Sequence, residues 1–313
     1  MPKKIIAVVG ATGSQGGGLV RAICEDAGGG FAARALTRST DSDKARALAA
    51  MGAEVVAANV DDEASLRQAF EGAHGVYGVT FFWDHFSPER EQAQASAIAS
   101  ASRAVGARHV IWSTLDDSRQ YIPLDDMRMP TLMGHYKVPH FDAKAEADAY
   151  FAALPVTYLL TSFYWDNLIH FGMAPRRGED GRLTFTLPMG DRKLPQIAAA
   201  DIGRCAYGIF QRGEELTGKR VGIAGEHLTG AEMCDRLGRA LGETVTHNSP
   251  PFDVYRGLGF PGAGDLGNMF QFNHDCADAF CAARSVEFSR TVNPRLQTFE
   301  QWLRTNASRM AIG

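Results

Sequence analysis

The sequence is poor in the features that mark secreted, membrane-spanning or nucleic-acid-binding proteins. Five cysteines (Cys24, Cys205, Cys234, Cys276 and Cys281) are scattered through 313 residues, with no CxxC pair and no His/Cys spacing suited to zinc. An odd, dispersed set argues against a disulfide framework and predicts free thiols, no metal site and a reducing, cytoplasmic setting. Charge of one sign is also missing: 32 Lys and Arg against 36 Asp and Glu leave a net charge of −4. No basic stripe is available to follow a phosphate backbone or an anionic bilayer, so neither nucleic acid nor membrane is expected as a partner. The basic start Met-Pro-Lys-Lys leads into Ile5–Val9, an apolar run that stops at Gly10 and is too short for a signal peptide. No segment is long and apolar enough to span a bilayer, and no internal repeat or low-complexity tail is visible.

Over the first 160 residues or so, short apolar runs alternate with amphipathic stretches. Strands are expected at Ile5–Val9, Phe31–Thr37, Glu54–Ala58, Gly75–Thr80, His109–Ser113 and Val156–Thr161. Helices are expected at Gly13–Glu25, Asp43–Met51, Asp62–Phe70, Pro88–Val105 and Phe141–Ala152. Such alternation predicts an α/β fold with a doubly wound parallel sheet of Rossmann type. After Ser162 the pattern loosens into a strand at Arg182–Leu187, helices at Asp201–Gln211, Thr229–Leu241, Pro261–Phe272 and Thr298–Thr305, and a short strand at Arg220–Ile223. We read this as a smaller C-terminal α/β lobe, giving a Rossmann domain at 1–162 and a substrate or partner lobe at 163–313, with some exchange of strand and loop between them. Thr229 and Glu232 have the spacing of a capping box. The long connection from Leu115 to Pro139 is a functional or mobile loop by its length.

Gly10-Ala11-Thr12-Gly13-Ser14-Gln15-Gly16 lies between the first strand and the first helix. Gly10 suits the tight turn, Gly13 lets a diphosphate approach the backbone, and Gly16 lets helix and sheet pack closely. The anion then meets the unpaired amides of a helix N-terminus. The second strand ends at Thr37-Arg38-Ser39, with Arg38 where an NAD site would carry an acid. A guanidinium there can grip a 2′-phosphate, so NADP(H) is favoured. Asn59 and Val60 follow the third strand, where such folds hold adenine, and Thr80, Phe81 and Phe82 follow the fourth, near ribose and nicotinamide. Asp62 reads as the N-cap of the next helix.

Further stretches carry a resemblance: GATGSQGG at Gly10–Gly17, GAEVV at Gly52–Val56, HFDAK at His140–Lys144, YWDNL at Tyr164–Leu168, LPMGD at Leu187–Asp191 and LGFPGAGDLGNMF at Leu258–Phe270. The chain resembles the NmrA-like branch of the atypical short-chain dehydrogenases almost end to end. The resemblance implies an NADP(H)-binding Rossmann domain, a smaller lobe and a cleft between them. It places cofactor contacts on Gly10, Ala11, Thr12, Gly13, Ser14, Gln15, Arg38, Asn59, Val60, Thr80, Phe81, Phe82 and Lys144, and on Tyr164, Trp165, Asp166 and Asn167. One departure is Ala93, where relatives carry a lysine early in the fourth helix.

Active short-chain dehydrogenases pair a Ser with a Tyr four residues before a Lys. Here Ser113 and Lys144 stand at two of these positions, but His140 occupies the tyrosine's place, and Tyr136 falls before the helix. The missing tyrosine favours an NADP(H) sensor or regulator over a turnover enzyme, with Leu115–Pro139 as the switching segment. The alternative is an NADPH-dependent oxidoreductase in which His140 or Lys144 moves the proton, acting on a small aromatic or quinone-like carbonyl compound. Its walls would be Phe81, Phe82, Trp83, Phe163, Tyr164 and Trp165. The partners implied are NADP(H), then either that substrate or a regulatory protein; a homodimer is compatible with both.

Overall fold

The apolar runs of the first half become strands of one parallel sheet. In the computed structural model, which describes residues 2–312, strands β1 (Lys4–Val8), β2 (Phe31–Thr37), β3 (Glu54–Ala57), β4 (Gly75–Gly78), β5 (His109–Thr114) and β6 (Val156–Leu160) alternate with helices. The helices are α1 (Ser14–Glu25), α2 (Asp43–Ala50), α3 (Glu63–Phe70), α4 (Pro88–Ala104) and α5 (Pro139–Phe151). Local chemistry sets their starts. Ser42 accepts from the Ala45 amide, Asp62 accepts from those of Ala64 and Ser65, and Ser87 precedes Pro88 at the head of α4. The sheet order is β11-β6-β5-β4-β1-β2-β3, so the winding reverses between β1 and β4. The crevice beyond the carboxyl ends of those two strands is where open α/β sheets hold ligands.

Beyond β6 the chain forms β7 (Phe163–Tyr164), α6 (Asn167–His170), β8 (Arg176–Arg177), β9 (Leu183–Thr186) and β10 (Leu194–Ile197), and then α7 (Ala199–Arg212) and β11 (Arg220–Gly222). It continues through β12 (Glu226–Leu228), α8 (Gly230–Leu241), β13 (Val245–Asn248), α9 (Phe252–Arg256), α10 (Ala263–Asp275), α11 (Ala277–Ala282), α12 (Val286–Val292) and α13 (Phe299–Asn306). Two three-stranded sheets, β12-β10-β7 and β13-β9-β8, carry the smaller lobe. Its core includes Trp165, Phe185, Phe270, Phe272, Phe299 and Trp302. Thr229 and Glu232 form the capping box expected of them, and Thr298 with Gln301 forms a second.

Two segments read with the smaller lobe instead return to the Rossmann unit. Strand β11 pairs in parallel with β6 as the sheet's seventh strand, and α7 packs along α1. The cause is hydrophobic: Ile202, Cys205, Ala206 and Ile209 complete the same buried cluster as Ile6, Val8, Leu19 and Ile23. Helix contact here is nearly backbone to backbone. A Cβ on Gly203 would lie 2.0 Å from the Leu19 nitrogen and 2.2 Å from the Gly18 carbonyl carbon. Gly203→Ala is therefore expected to force α1 and α7 apart, lowering stability by about 1–3 kcal/mol. The check is a reduced urea midpoint with an unchanged denaturant slope.

Candidate functional site

The glycine turn is built for a ligand that approaches backbone. Gly10 has φ of +65°, a conformation that glycine adopts without strain. A Cβ on Gly16 would lie 2.5 Å from the Gly10 carbonyl oxygen, so helix and turn can meet only without a side chain there. Gly13 is the N-cap of α1 and no side chain caps that helix, which leaves its first-turn amides open to an anion. Ala11 is buried beneath the turn, whereas Gly13 and Ser14 are exposed and Thr12 is half-buried.

Gln15 turns away from the turn and ties it to the sheet. Its carbonyl accepts from Ser113 Oγ at 2.9 Å and from the Tyr77 hydroxyl, and its amide donates to the Tyr164 hydroxyl. Ser113 is thus buried and occupied by Gln15. Burial raises the Tyr164 phenol above its ordinary value, so it is a neutral hydrogen-bonding group. Tyr77, which holds this network from β4, was not found from the sequence because its neighbours read only as a buried strand.

Arg38 stands exposed beyond β2, with Nη2 at 3.6 Å from Asp84 Oδ2. Asn59 and Val60 follow β3. The Asn59 side chain accepts from the Asp61 amide, and Asp61 is gripped by Arg90 and Gln94, which hold its carboxyl below the ordinary value.

Lys144 lies one turn and a half into α5. Its ammonium donates to Thr80 Oγ1 at 2.7 Å and to the Thr80 carbonyl at 3.1 Å, and pairs with Glu91 Oε1 at 2.6 Å. The ammonium is thus committed to two hydrogen bonds and one ion pair. Glu91 is fully buried. Burial alone would push its carboxyl up; the Lys144 charge, with the Thr80 hydroxyl bonded to it and the His85 ring nearby, more than reverses this and holds it at about 2. His85 Nδ1 accepts from the Ser87 amide, which leaves the proton on Nε2, 3.5 Å from Glu91 Oε2.

His140 sits one turn before Lys144. Its Nδ1 lies 2.5 Å from Asp265 Oδ1, and its backbone amide donates to Asp265 Oδ2 at 3.1 Å. Its ring is 4.7 Å from that of Trp83, on the 3-10 turn Phe82–Asp84. Among the described residues no partner meets its Nε2.

The aromatic wall is smaller than the sequence suggests. Phe81 is exposed and Trp83, Phe163 and Tyr164 are half-buried. Phe82 is interior, packed on Trp83, His85 and His140. The Trp165 indole is fully buried against Phe299 and Trp302, with Nε1 donating to Gln196. The lobe's own core claims these rings. Asp166 accepts from the Ala199 amide at the head of α7, and Asn167 opens α6.

The 115–139 connection is fastened at both ends. The Asp142 carboxylate accepts from the amides of Ser118, Lys137 and Val138 and from Ser118 Oγ. The Lys137 ammonium donates to the carbonyls of Asp126 and Met129, while Asn268 and Gln271 of α10 donate to those of Pro130, Lys137 and Arg128. Glu91, Asp142 and Asp265 were all missed from the sequence. Glu91 reads as one acid in an Ala-rich helix, and Asp265 lies inside a stretch singled out for resemblance rather than chemistry.

The geometry defines a Rossmann-type fold with a smaller lobe packed against it. The NmrA-like family model matches residues 2–303, and the chain belongs to that family. It is 26% identical over 302 residues to the NmrA-like family domain-containing oxidoreductase FrzB of Cladobotryum sp., covering 90% of this chain and 88% of that one. Among solved structures, it is similar to NmrA, a negative transcriptional regulator, in complex with NADP (TM-score 0.78, 23% identity, 97% of this chain and 95% of that one). It is also similar to the Citrobacter sp. triphenylmethane reductase complexed with NADP(H) (TM-score 0.71, 16% identity, 96% and 99%).

The buried pair sets a pH dependence. Unfolded, Glu91 titrates near about 4.3; folded, at about 2. Its stabilising contribution is therefore complete above about pH 5 and is lost as pH falls toward about 2. Glu91→Gln is expected to cost roughly 3–5 kcal/mol at neutral pH by leaving the ammonium uncompensated. Urea midpoints should show the gap between wild type and variant narrowing as pH falls from about 5 toward about 2.

Proposed function

We propose that this chain binds NADP(H) across the crevice at Gly10–Gly16 and uses it to reduce a carbonyl group on a small planar aromatic or quinone-like compound, with His140 as proton donor. The observation that carries this reading is the unequal state of the two candidate groups on α5. The ammonium of Lys144 is fully committed, whereas Nε2 of His140 has no protein partner and sits beside the segment that leaves β4. The names of the oxidoreductase relative and of the NADP(H)-bound reductase agree with it.

The uncapped start of α1 and the side-chain-free turn suit a diphosphate, and Arg38 suits the 2′-phosphate. When bound, NADPH would supply a hydride at the nicotinamide ring. The chain supplies the proton: imidazolium Nε2–H gives it to the carbonyl oxygen as the carbonyl carbon gains hydride, and the neutral ring recovers a proton from water. Lys144 holds Thr80, and so fixes the exit of β4 along which the ribose would lie. Exposed Phe81 and half-buried Trp83 offer flat apolar faces to an aromatic substrate.

The test is NADPH oxidation at 340 nm with 9,10-phenanthrenequinone and a set of aromatic aldehydes. Turnover is expected, with kcat falling about 100-fold or more in His140→Gln; silence with every acceptor overturns the reading. Calorimetry should show Arg38→Ala weakening NADPH binding by about 10- to 100-fold, as loss of charge-assisted hydrogen bonds implies, and NADH by far less.

The second reading, an NADP(H)-occupancy sensor, is favoured by one observation: the 115–139 connection is hydrogen-bonded to both α5 and α10, so a shift between the lobes would reach it. It predicts that NADPH changes proteolytic cleavage within this connection and is not consumed.

A further inference from the structure

We infer that Asp265 is the positioning residue of His140, so that the proton donor is assembled from both lobes; this rests on the reductive reading above. His140 lies at the head of α5, and Asp265 reaches it from the first turn of α10. The carboxylate holds the residue at two points, 2.5 Å to ring Nδ1 and 3.1 Å to the backbone amide. The second contact satisfies an amide that α5 leaves without a helical partner, and it fixes the rotation of the carboxylate. Both side chains are more than nine-tenths buried.

The ring is held from the other side as well. Just before α10, Gly262 adopts φ of +86°, and a Cβ there would lie 2.8 Å from the Trp83 ring, which in turn lies against His140. The imidazole therefore sits between a tryptophan pressed by the small lobe and a carboxylate supplied by it. With Nδ1–H directed at Asp265, the neutral ring has its lone pair on Nε2, and the protonated ring carries an Nε2–H that no protein group accepts among the described residues.

The other charges around the ring are already balanced or turned elsewhere. On α5, Lys144 is compensated by Glu91, and Asp142 is consumed by the amides of the 115–139 connection. On the 3-10 turn, Asp84 pairs with Arg38, and His85, just past it, faces Glu91. Asp265 is thus the one anion in contact with the ring among the described residues.

Asp265 also helps join the lobes, so loss of activity alone would not separate positioning from structure. The discriminating readout is the pH profile of kcat with phenanthrenequinone and NADPH. Wild type should lose activity as pH rises through one ionisation. Asp265→Asn should move that ionisation down by about one unit or more and lower kcat by about 10- to 100-fold. KM for the quinone should stay within about twofold, as expected when only the proton step is impaired, and Asp265→Glu should restore part of the shift. A lower kcat with an unmoved ionisation overturns the inference.

A second measurement does not depend on turnover. In 15N-histidine NMR of the full chain with NADP+, with His140→Gln used for assignment, neutral His140 should be the Nδ1–H tautomer, and its midpoint should fall in Asp265→Asn. An Nε2–H tautomer in wild type overturns the inference even where the variant fails to fold. No turnover with any acceptor, together with an Nδ1–H tautomer and a shifted midpoint, removes the reductive reading but leaves Asp265 as the partner of His140.

Discussion

An ammonium cannot be held at the end of a buried sheet without a counter-charge, and the cleft is organised by bringing one to Lys144. Glu91 comes from α4 and Thr80 from the exit of β4, so one cluster joins two helices and a strand end. Its net value against a pair of well-packed apolar residues is small, because both ions are desolvated. Its value for geometry is larger. The two hydrogen bonds from Lys144 to Thr80 fix where the chain leaves β4, and with it the turn that carries Phe82 and Trp83. The ammonium also lies 5.4 Å from the centre of the Trp112 ring, which gives it an electron-rich face where no further acceptor is available.

The start of α5 shows how one short segment serves three ends. His140, Asp142 and Lys144 occupy alternate positions and point to different parts of the molecule: Asp265 of the small lobe, the 115–139 connection, and the cluster at β4. Each ionisable group has its own partner, so none competes for another's. Lys144, which sequence logic would cast as the acid, serves as a fixed brace. His140, which could have been an ordinary helix-start residue bonded to backbone, retains a free ring nitrogen. Ser113 has likewise been drawn into the Gln15 network, away from the role its position at the end of β5 suggests.

The sequence disclosed what is local. The glycine turn, the caps at Asp62 and Thr229, and the βαβ alternation all depend on residues within a few positions of one another, and their periodicity survives into the structure. It did not disclose the return of α7 and β11 to the large sheet. Their apolar residues read alike for either lobe, and the partners that decide, the α1 cluster and glycine contact for α7 and the β6 edge for β11, are distant in sequence. Nor did it show Glu91 with Lys144 or Asp265 with His140, since pairs this distant leave no spacing to read. The aromatic residues misled in the opposite direction. A run such as Phe81-Phe82-Trp83 or Phe163-Tyr164-Trp165 reads as one surface, yet neighbouring rings point to different sides, and Phe82 and Trp165 serve the interior.

The lobes meet through directed polar contacts as well as apolar packing, and this bears on how such a cleft can work. Asp265 meets His140, Asn268 and Gln271 meet backbone carbonyls of the 115–139 connection, and the buried guanidinium of Arg284 joins the Thr161 carbonyl, Asp116 and the face of Phe280. Each such bond nets only about 1 kcal/mol when water can replace the partner, but much more is lost when one partner is deleted and the other stays buried. A seam of this kind specifies one arrangement of the lobes sharply, because each directed bond is satisfied only there. Apolar packing alone would hold the lobes together without fixing their register to the precision that the proposed proton transfer from His140 would demand. The polar seam therefore does for the whole cleft what Asp265 does for one ring: it converts a loose juxtaposition of two lobes into a defined geometry.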